Sequence, residues 1–438
     1  MGASWTEADI VHLLGRTTFH VSPADVSAAL ELGKTETVRR LIDGVPLSGE
    51  MFDIPPIAVT LADGKELNAA AINDQQTYWL YRMAVSSDPL REKMTLFWHD
   101  HFATSNRKVN SPLLMAQQNE LFRQKGLGSF HELVVAVGED PAMLIWLDSN
   151  SNKKGRPNEN YAREAMELFT LGIGNYTEDD VKEVARAFTG WGIDPTTRQT
   201  VYNPKQHDGG LKYVLGETGY YDSKSVVDVL FHQQSLYRFI ARSLLLQFAT
   251  PNPSDEWVKQ VAKTLESTET IGEVLRLLFE SDEFYNPQYR LSLIKNPAEY
   301  VAGFLRAFEV PLSKSYISFM RKMGQELYMP PNVSGWEGGA SWLQSSSLLA
   351  RSQFAESLAK RLQLKQLQTE GFKPERPNAA EDWVSLWMKN AGVWGIGERS
   401  QSVLASYADE TFVHANSKIN GMRGLLQLIM ISPEAQMK

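Results

Sequence analysis

Apolar residues return at intervals of three and four along most of this chain, and seldom at two. That period belongs to amphipathic helices packed face to face, because 3.6 residues per turn gathers positions i, i+3, i+4 and i+7 on one side. The fold class it predicts for 438 residues is mainly α, a multi-helical globular array. Helix starts are legible in the same stretches. Ser22 precedes Pro23-Ala24-Asp25, Asp88 precedes Pro89, and Thr177 precedes Glu178-Asp179-Asp180. Each sets an oxygen-bearing cap before proline or carboxylates, which suit the unpaired N–H groups and dipole of a first turn. Gly172, Gly174 and Gly190 read as stops.

Two stretches rich in Gly, Pro, Asp, Asn and Thr interrupt the pattern, near residues 44–73 and 191–222. The second contains Thr200-Val201-Tyr202 and Lys212-Tyr213-Val214-Leu215 around His207-Asp208-Gly209-Gly210, and is predicted to form a small β-hairpin excursion. Long insertions of this kind in a helical body are often functional. A polar segment, 364–382, with Pro374 and Pro377, reads as a linker. The expected organisation is therefore one helical domain over 1–363, that linker, and a C-terminal helical segment over 383–438 packed on the main domain.

Charge and composition narrow the function. With 44 basic against 52 acidic residues and a formal charge of -8, and with no basic block, the chain lacks the footprint of a nucleic-acid binder. The absence of cysteine removes disulfides, thiolate metal sites and cysteine nucleophiles together. No apolar run approaches the roughly 20 residues of a bilayer span, so no transmembrane segment is expected. Met1 to Ser22 carries Glu7, Asp9 and Arg16, which is not the make-up of a secretory peptide. The expected compartment is cytoplasmic if this is the full chain, and extracytoplasmic if a signal was removed. Common catalytic motifs fail: Val135 stands where a zincin helix begun by His131-Glu132 needs its second histidine, and no phosphate-binding loop or nucleophile elbow occurs.

Three clusters remain as candidates for chemistry. The run Phe97-Trp98-His99-Asp100-His101-Phe102 ends the helix opened by Asp88-Pro89. His99 and His101 would lie about 200 degrees apart on it, too far round to chelate one ion unless the helix has opened. His101 continues the apolar stripe Leu90, Met94, Phe97 and is expected inward, whereas His99 shares its side with Glu92 and Thr95. Imidazole serves equally as a core hydrogen-bonding group or as a ligand and proton carrier. The second cluster is Asn160, Arg163, Glu164 and Glu167, one polar strip on an otherwise apolar helix. It would be either a Glu159-Arg163-Glu167 ladder at i, i+4 spacing or a lining for an internal polar pocket. The third is His207-Asp208, which turn formation alone would also explain. Trp191 and Trp336 follow glycines in loops and would serve either as anchors or as platforms for sugars.

Several segments together resemble the large bacterial family of domain of unknown function 1800: His12 to Phe19 (HLLGRTTF), Phe97 to Ser105 (FWHDHFATS), Asn160 to Trp191, His207 to Gly216 (HDGGLKYVLG), Arg238 to Leu245, Lys295 to Phe308 (KNPAEYVAGFLRAF) and Met323 to Ala355. They keep the family's order over about three quarters of the chain, and the Asn160 to Trp191 block is the most specific. His20 stands where the pattern usually has glycine, and Asp100 where it often has asparagine. The resemblance implies a predominantly helical bacterial protein and no established activity. It also implies an association, since members are commonly encoded beside a second family that looks like sulfatases and alkaline phosphatases.

Two functional expectations follow. As a metal-assisted hydrolase acting on a polar or extracellular polymer, the protein would use His101, Glu164 and Glu167 in catalysis, with a divalent metal ion on His99, His101 and Glu164. Trp191, Trp336, His207 and Asp208 would bind the substrate. As a non-catalytic glycan-binding or assembly protein, it would hold a polysaccharide on the loop tryptophans and work with a sulfatase-like partner encoded nearby.

Overall fold

In the computed structural model the described residues are 5–49, 51, 54–55, 59, 61, 64–363, 367, 373, 375–376, 379–413 and 418–438. Much of 364–382, with Pro374 and Pro377, and part of 44–73 lie outside them, as does His414. The fold is mainly α with two small antiparallel hairpins. The predicted caps are in place. Ser22, Asp88 and Thr177 each accept a backbone N–H at the start of Pro23–Leu32, Pro89–His101 and Glu178–Ala187.

Two buried apolar clusters make up most of the core. One gathers residues from Glu7–Thr17, Phe130–Gly138, Gln234–Phe248 and Ile271–Glu280. The other gathers Ile72–Val85, Pro297–Phe308, Ser345–Arg361, Ala380–Asn390 and Ile419–Ile431. The Pro89–His101 helix contributes to both: Leu90, Met94, Phe97 and Trp98 enter the first cluster, Leu96 the second. A helix shared between two cores keeps little solvent face along its middle. Glu92, Lys93 and His99 are therefore each 1% exposed, and their polar atoms must find partners inside the protein.

The insertion over 191–222 forms two hairpins instead of one. Strand β1 (Trp191–Ile193) pairs with β2 (Thr200–Tyr202), and β3 (Lys212–Val214) pairs with β4 (Glu217–Gly219). C-terminal to the 364–382 segment, the Ile419–Ile431 helix packs against Ser345–Arg361 within the second core.

Candidate functional site

The Pro89–His101 helix places several polar side chains in the interior, Glu92, Lys93, His99 and His101 among them. Glu92 accepts from Arg123 at 2.8 Å, Arg82 at 3.0 Å and the Trp79 indole N–H at 3.2 Å. Burial pushes its carboxyl up, but Arg123 and Arg82 outweigh that and hold it low. Lys93 donates to Glu299 Oε1 at 2.8 Å. His99 Nε2 accepts the Tyr328 N–H at 3.1 Å, among the rings of Trp79, Tyr328 and Trp336. His101 Nε2 lies 2.9 Å from the Phe169 carbonyl, to which it must donate. The two imidazoles thus carry their proton on opposite nitrogens. Burial lowers His99 to about 3 and His101 to about 4, so both are neutral at neutral pH.

His99 was expected to be the outer of the pair, and the structure corrects this. Its side of the helix is not a surface, because Arg82 and Arg123 fold the neighbouring Glu92 into the interior. The helix is regular to His101, and the two rings sit in separate environments. His99 meets Trp79 and Tyr328, while His101 meets Phe169 and Phe239.

The Glu164 strip does not reach them. After Asn160–Glu164 the chain continues as a π-helical turn over Ala165–Thr170, closed by the Leu171 N–H on the Met166 carbonyl. The wider turn shifts the side-chain register that an α-helical wheel assumes. Phe169 thereby presents its carbonyl to His101, while Glu167 accepts from the Tyr176 hydroxyl. Arg163 forms part of the expected ladder with Glu159 but pairs more closely with Glu178, at 2.7 Å. Glu164 is half-buried, raised by burial and by the Glu167 charge. Among the described residues no three His, Asp or Glu side chains are grouped so as to hold a metal ion. The predicted ligand set of His99, His101 and Glu164 is therefore not assembled, nor do His101, Glu164 and Glu167 converge.

The substrate set is also divided. Trp191 packs against Tyr202 across β1 and β2, the two rings tilted to one another. His207 Nδ1 donates to the Thr189 carbonyl at 3.0 Å, and Asp208 takes the Arg186 guanidinium at 2.8 Å, which lowers it to about 2. These bonds brace the hairpins against the end of Glu178–Ala187. Trp336 lies elsewhere, and it leads to the main cleft.

That cleft, about 540 Å³, runs between the end of the Pro89–His101 helix, the Gln234–Phe248 helix, residues 293–299 and the loop 334–342. Asp100, His101, Trp336, Trp342, Glu299 and Lys438 are among its lining residues. Asp100 Oδ1 accepts the Trp336 N–H at 2.8 Å. Gly335 has to be glycine here, with φ of 79° and an added Cβ falling 2.2 Å from Asp100 Oδ1. Burial without a nearby cation pushes Asp100 up to about 7. Asn296 and Gln325, also in the lining, use their side-chain carbonyls to accept N–H groups at the start of Pro297–Phe308. Among the described residues their amide NH2 groups have no protein partner, so each remains as a donor for ligand or water.

Behind the cleft lies a cluster that the sequence reading missed. Glu299 Oε1 receives both Lys93 and Lys438, at 2.8 and 2.5 Å. Lys295, in the same region, donates to the Ala435 carbonyl at 3.2 Å. The available signals were Lys93 beside the apolar stripe of its helix and the Asn296-x-x-Glu299 capping box, which fixes Glu299 at a helix start.

The fold and cleft define a mainly helical protein with a large hollow whose lining mixes apolar side chains, two of them indoles, with polar groups. The chain belongs to the family described as protein of unknown function (DUF1800), whose model matches residues 12–437. No curated protein and no solved structure matches it. Among the described residues no helix is long and apolar enough to cross a membrane.

Proposed function

We propose that the protein is a glycan-binding partner, holding a segment of polar polymer in the cleft while a sulfatase-like protein supplies the chemistry. The observation that carries this reading is the lining itself: the indoles of Trp336 and Trp342 stand beside the unpartnered amide donors of Asn296 and Gln325. Apolar ring edges next to fixed amide donors suit a hydroxyl-rich ligand, which offers C–H faces and oxygen acceptors together. Trp191, His207 and Asp208, tied into the hairpin region, are not needed in this reading.

A glycan array followed by titration calorimetry tests it. Saturable binding of a polysaccharide is expected, weakened about tenfold, or 1.4 kcal/mol, in the double variant Gln247→Ala with Glu337→Ala, two further residues of the cleft lining. Capture of the sulfatase-like protein by the full chain is expected as well. Silence on the array and in the pull-down would reject the reading.

One observation favours hydrolysis instead: Asp100, a carboxyl in the cleft whose proton is exchanged near neutral pH, the condition for general acid–base work. A metal-assisted form would need ligands beyond His99, His101 and Glu164. Release of reducing ends from a bound polysaccharide, abolished by Asp100→Asn with binding retained, would establish that alternative. Equal turnover by Asp100→Asn would remove Asp100 from it.

A further inference from the structure

The titratable side chains that line the cleft are Asp100, His101, Glu299, Glu337 and Lys438. The Lys438 amine and that of Lys93 both fall on Glu299 Oε1. His101, donating to the Phe169 carbonyl, is neutral. That leaves Asp100 and Glu337, and among the described residues neither has a cationic partner. The two stand on one wall: Asp100 Oδ1 takes the Trp336 N–H at 2.8 Å, and Glu337 follows Trp336 in the chain. Asp100 Oδ2 has no hydrogen bond among the described residues and is not sealed off from the cleft. Glu337 is exposed at the mouth, where water screens it, so the larger share of any attraction falls on Asp100.

Two carboxyls alone would not make a site. A separate observation points to a ligand: Gln325, 3% exposed, is fixed by accepting the Ala298 N–H at 2.8 Å, which leaves its amide NH2 in the cleft lining without a protein partner. A buried donor of this kind calls for an acceptor oxygen, which a hydroxyl supplies. The Asp100 wall calls for a donor that also brings positive charge. Hydroxyl and ammonium occur together in an amino sugar.

Resting on the glycan reading of the cleft, we propose that its polymer is an amino glycan, with an ammonium beside Asp100 Oδ2 on the wall that Glu337 extends and hydroxyls on the amides of Gln325 and Asn296. The preference for the amine is a linkage. Burial without a cation keeps Asp100 protonated up to about pH 7. An ammonium beside Oδ2 favours the ionised form, so below that pH a proton leaves Asp100 as the ligand binds. A neutral glycan leaves the proton in place.

Titration calorimetry of the full chain at pH 6, where most of the sugar amines carry a proton, tests this with four tetrasaccharides. Tetraglucosamine, tetra-N-acetylglucosamine and cellotetraose share one backbone and differ at a single carbon of each ring, while tetragalacturonate carries the opposite charge. Tetraglucosamine is expected to bind at least about tenfold more tightly than the two neutral sugars, with tetragalacturonate weakest. Repeating the titrations in buffers of different ionisation heat should show net proton release with tetraglucosamine and none with cellotetraose. Asp100→Asn should bind without releasing a proton, its preference for the amine reduced to about threefold or less. Glu337→Gln should narrow the preference by a smaller factor and keep the proton release. Equal or tighter binding of cellotetraose or tetragalacturonate, or a preference unchanged in Asp100→Asn, would overturn the amine and leave the glycan reading standing. Failure of all four sugars would overturn it too, and silence on the glycan array beside that would remove the glycan reading as well.

Discussion

Asp100 and Glu299 line the same cleft and carry the same functional group, yet their surroundings drive them in opposite directions. Asp100 has one N–H donor and no cation, and burial pushes it up to about 7. Glu299 is buried too, but Lys438 and Lys93 overwhelm that effect and hold it far below the usual carboxylate range. Burial alone does not decide whether an interior carboxyl is charged; the countercharge beside it does. One end of the cleft therefore presents a neutral, proton-exchanging group and the other a locked ion pair.

The sharpest way to break the comparison is to remove the locked carboxylate. Glu299→Gln keeps the helix cap but strands Lys93 and Lys438 in the interior, and it should cost about 3–5 kcal/mol in urea unfolding at pH 7. A cost near zero would mean that the amines are already neutral. In the wild type the stability contributed by Glu299 is present above its ordinary value of 4.5 and is lost as pH falls further, through its depressed folded value.

Asp100 should show the opposite slope. Between its ordinary value of 3.8 and about 7 the folded protein keeps a proton that the unfolded chain has released. Stability therefore falls as pH rises through that window, by up to about 4 kcal/mol. Asp100→Asn, which has the shape of the protonated acid and keeps an acceptor for the Trp336 N–H, should abolish that decline and be the more stable protein at pH 7. Unfolding curves for the two proteins at pH 4, 5.5 and 7 would check this.

Gly335→Ala tests the contact that fixes Asp100. The new Cβ would fall 2.2 Å from Oδ1 and 2.7 Å from the Asp100 carbonyl oxygen at a positive φ. A loss of about 1–3 kcal/mol is expected, together with a shift in the Asp100 titration. The smallest effect should come from the strip that does not join the cleft. Glu164→Ala should change stability by no more than about 0.5 kcal/mol and leave glycan binding unaltered, and a loss of binding would place the ligand at the wrong end of the π-helical turn.

The helical architecture was legible because it rests on local signals: the three-and-four period, the Ser22, Asp88 and Thr177 caps, and the β-favouring runs in 191–222. The candidate site was legible only in part. His101 and Trp336 were singled out and do line the cleft. Glu164 and Glu167 were projected onto an α-helical wheel, and the π-helical turn, which no residue in Ala165–Thr170 announces, changed their register. His99 was placed outward because Glu92 shares its side, a reasonable inference until Arg82 and Arg123, from two other helices, turn that side inward. Lys93, Lys295, Glu299 and Lys438 were out of reach for the same reason. Their meeting depends on contacts separated by 139 to 206 residues in sequence, to which a local pattern is blind.

The most direct test is the infrared difference spectrum of the wild type against Asp100→Asn, followed as a function of pH. A protonated-carboxyl band that belongs to Asp100 and disappears with a midpoint near 7 is the expected result. A band lost with a midpoint near 4, the ordinary range for an aspartate, would contradict the account.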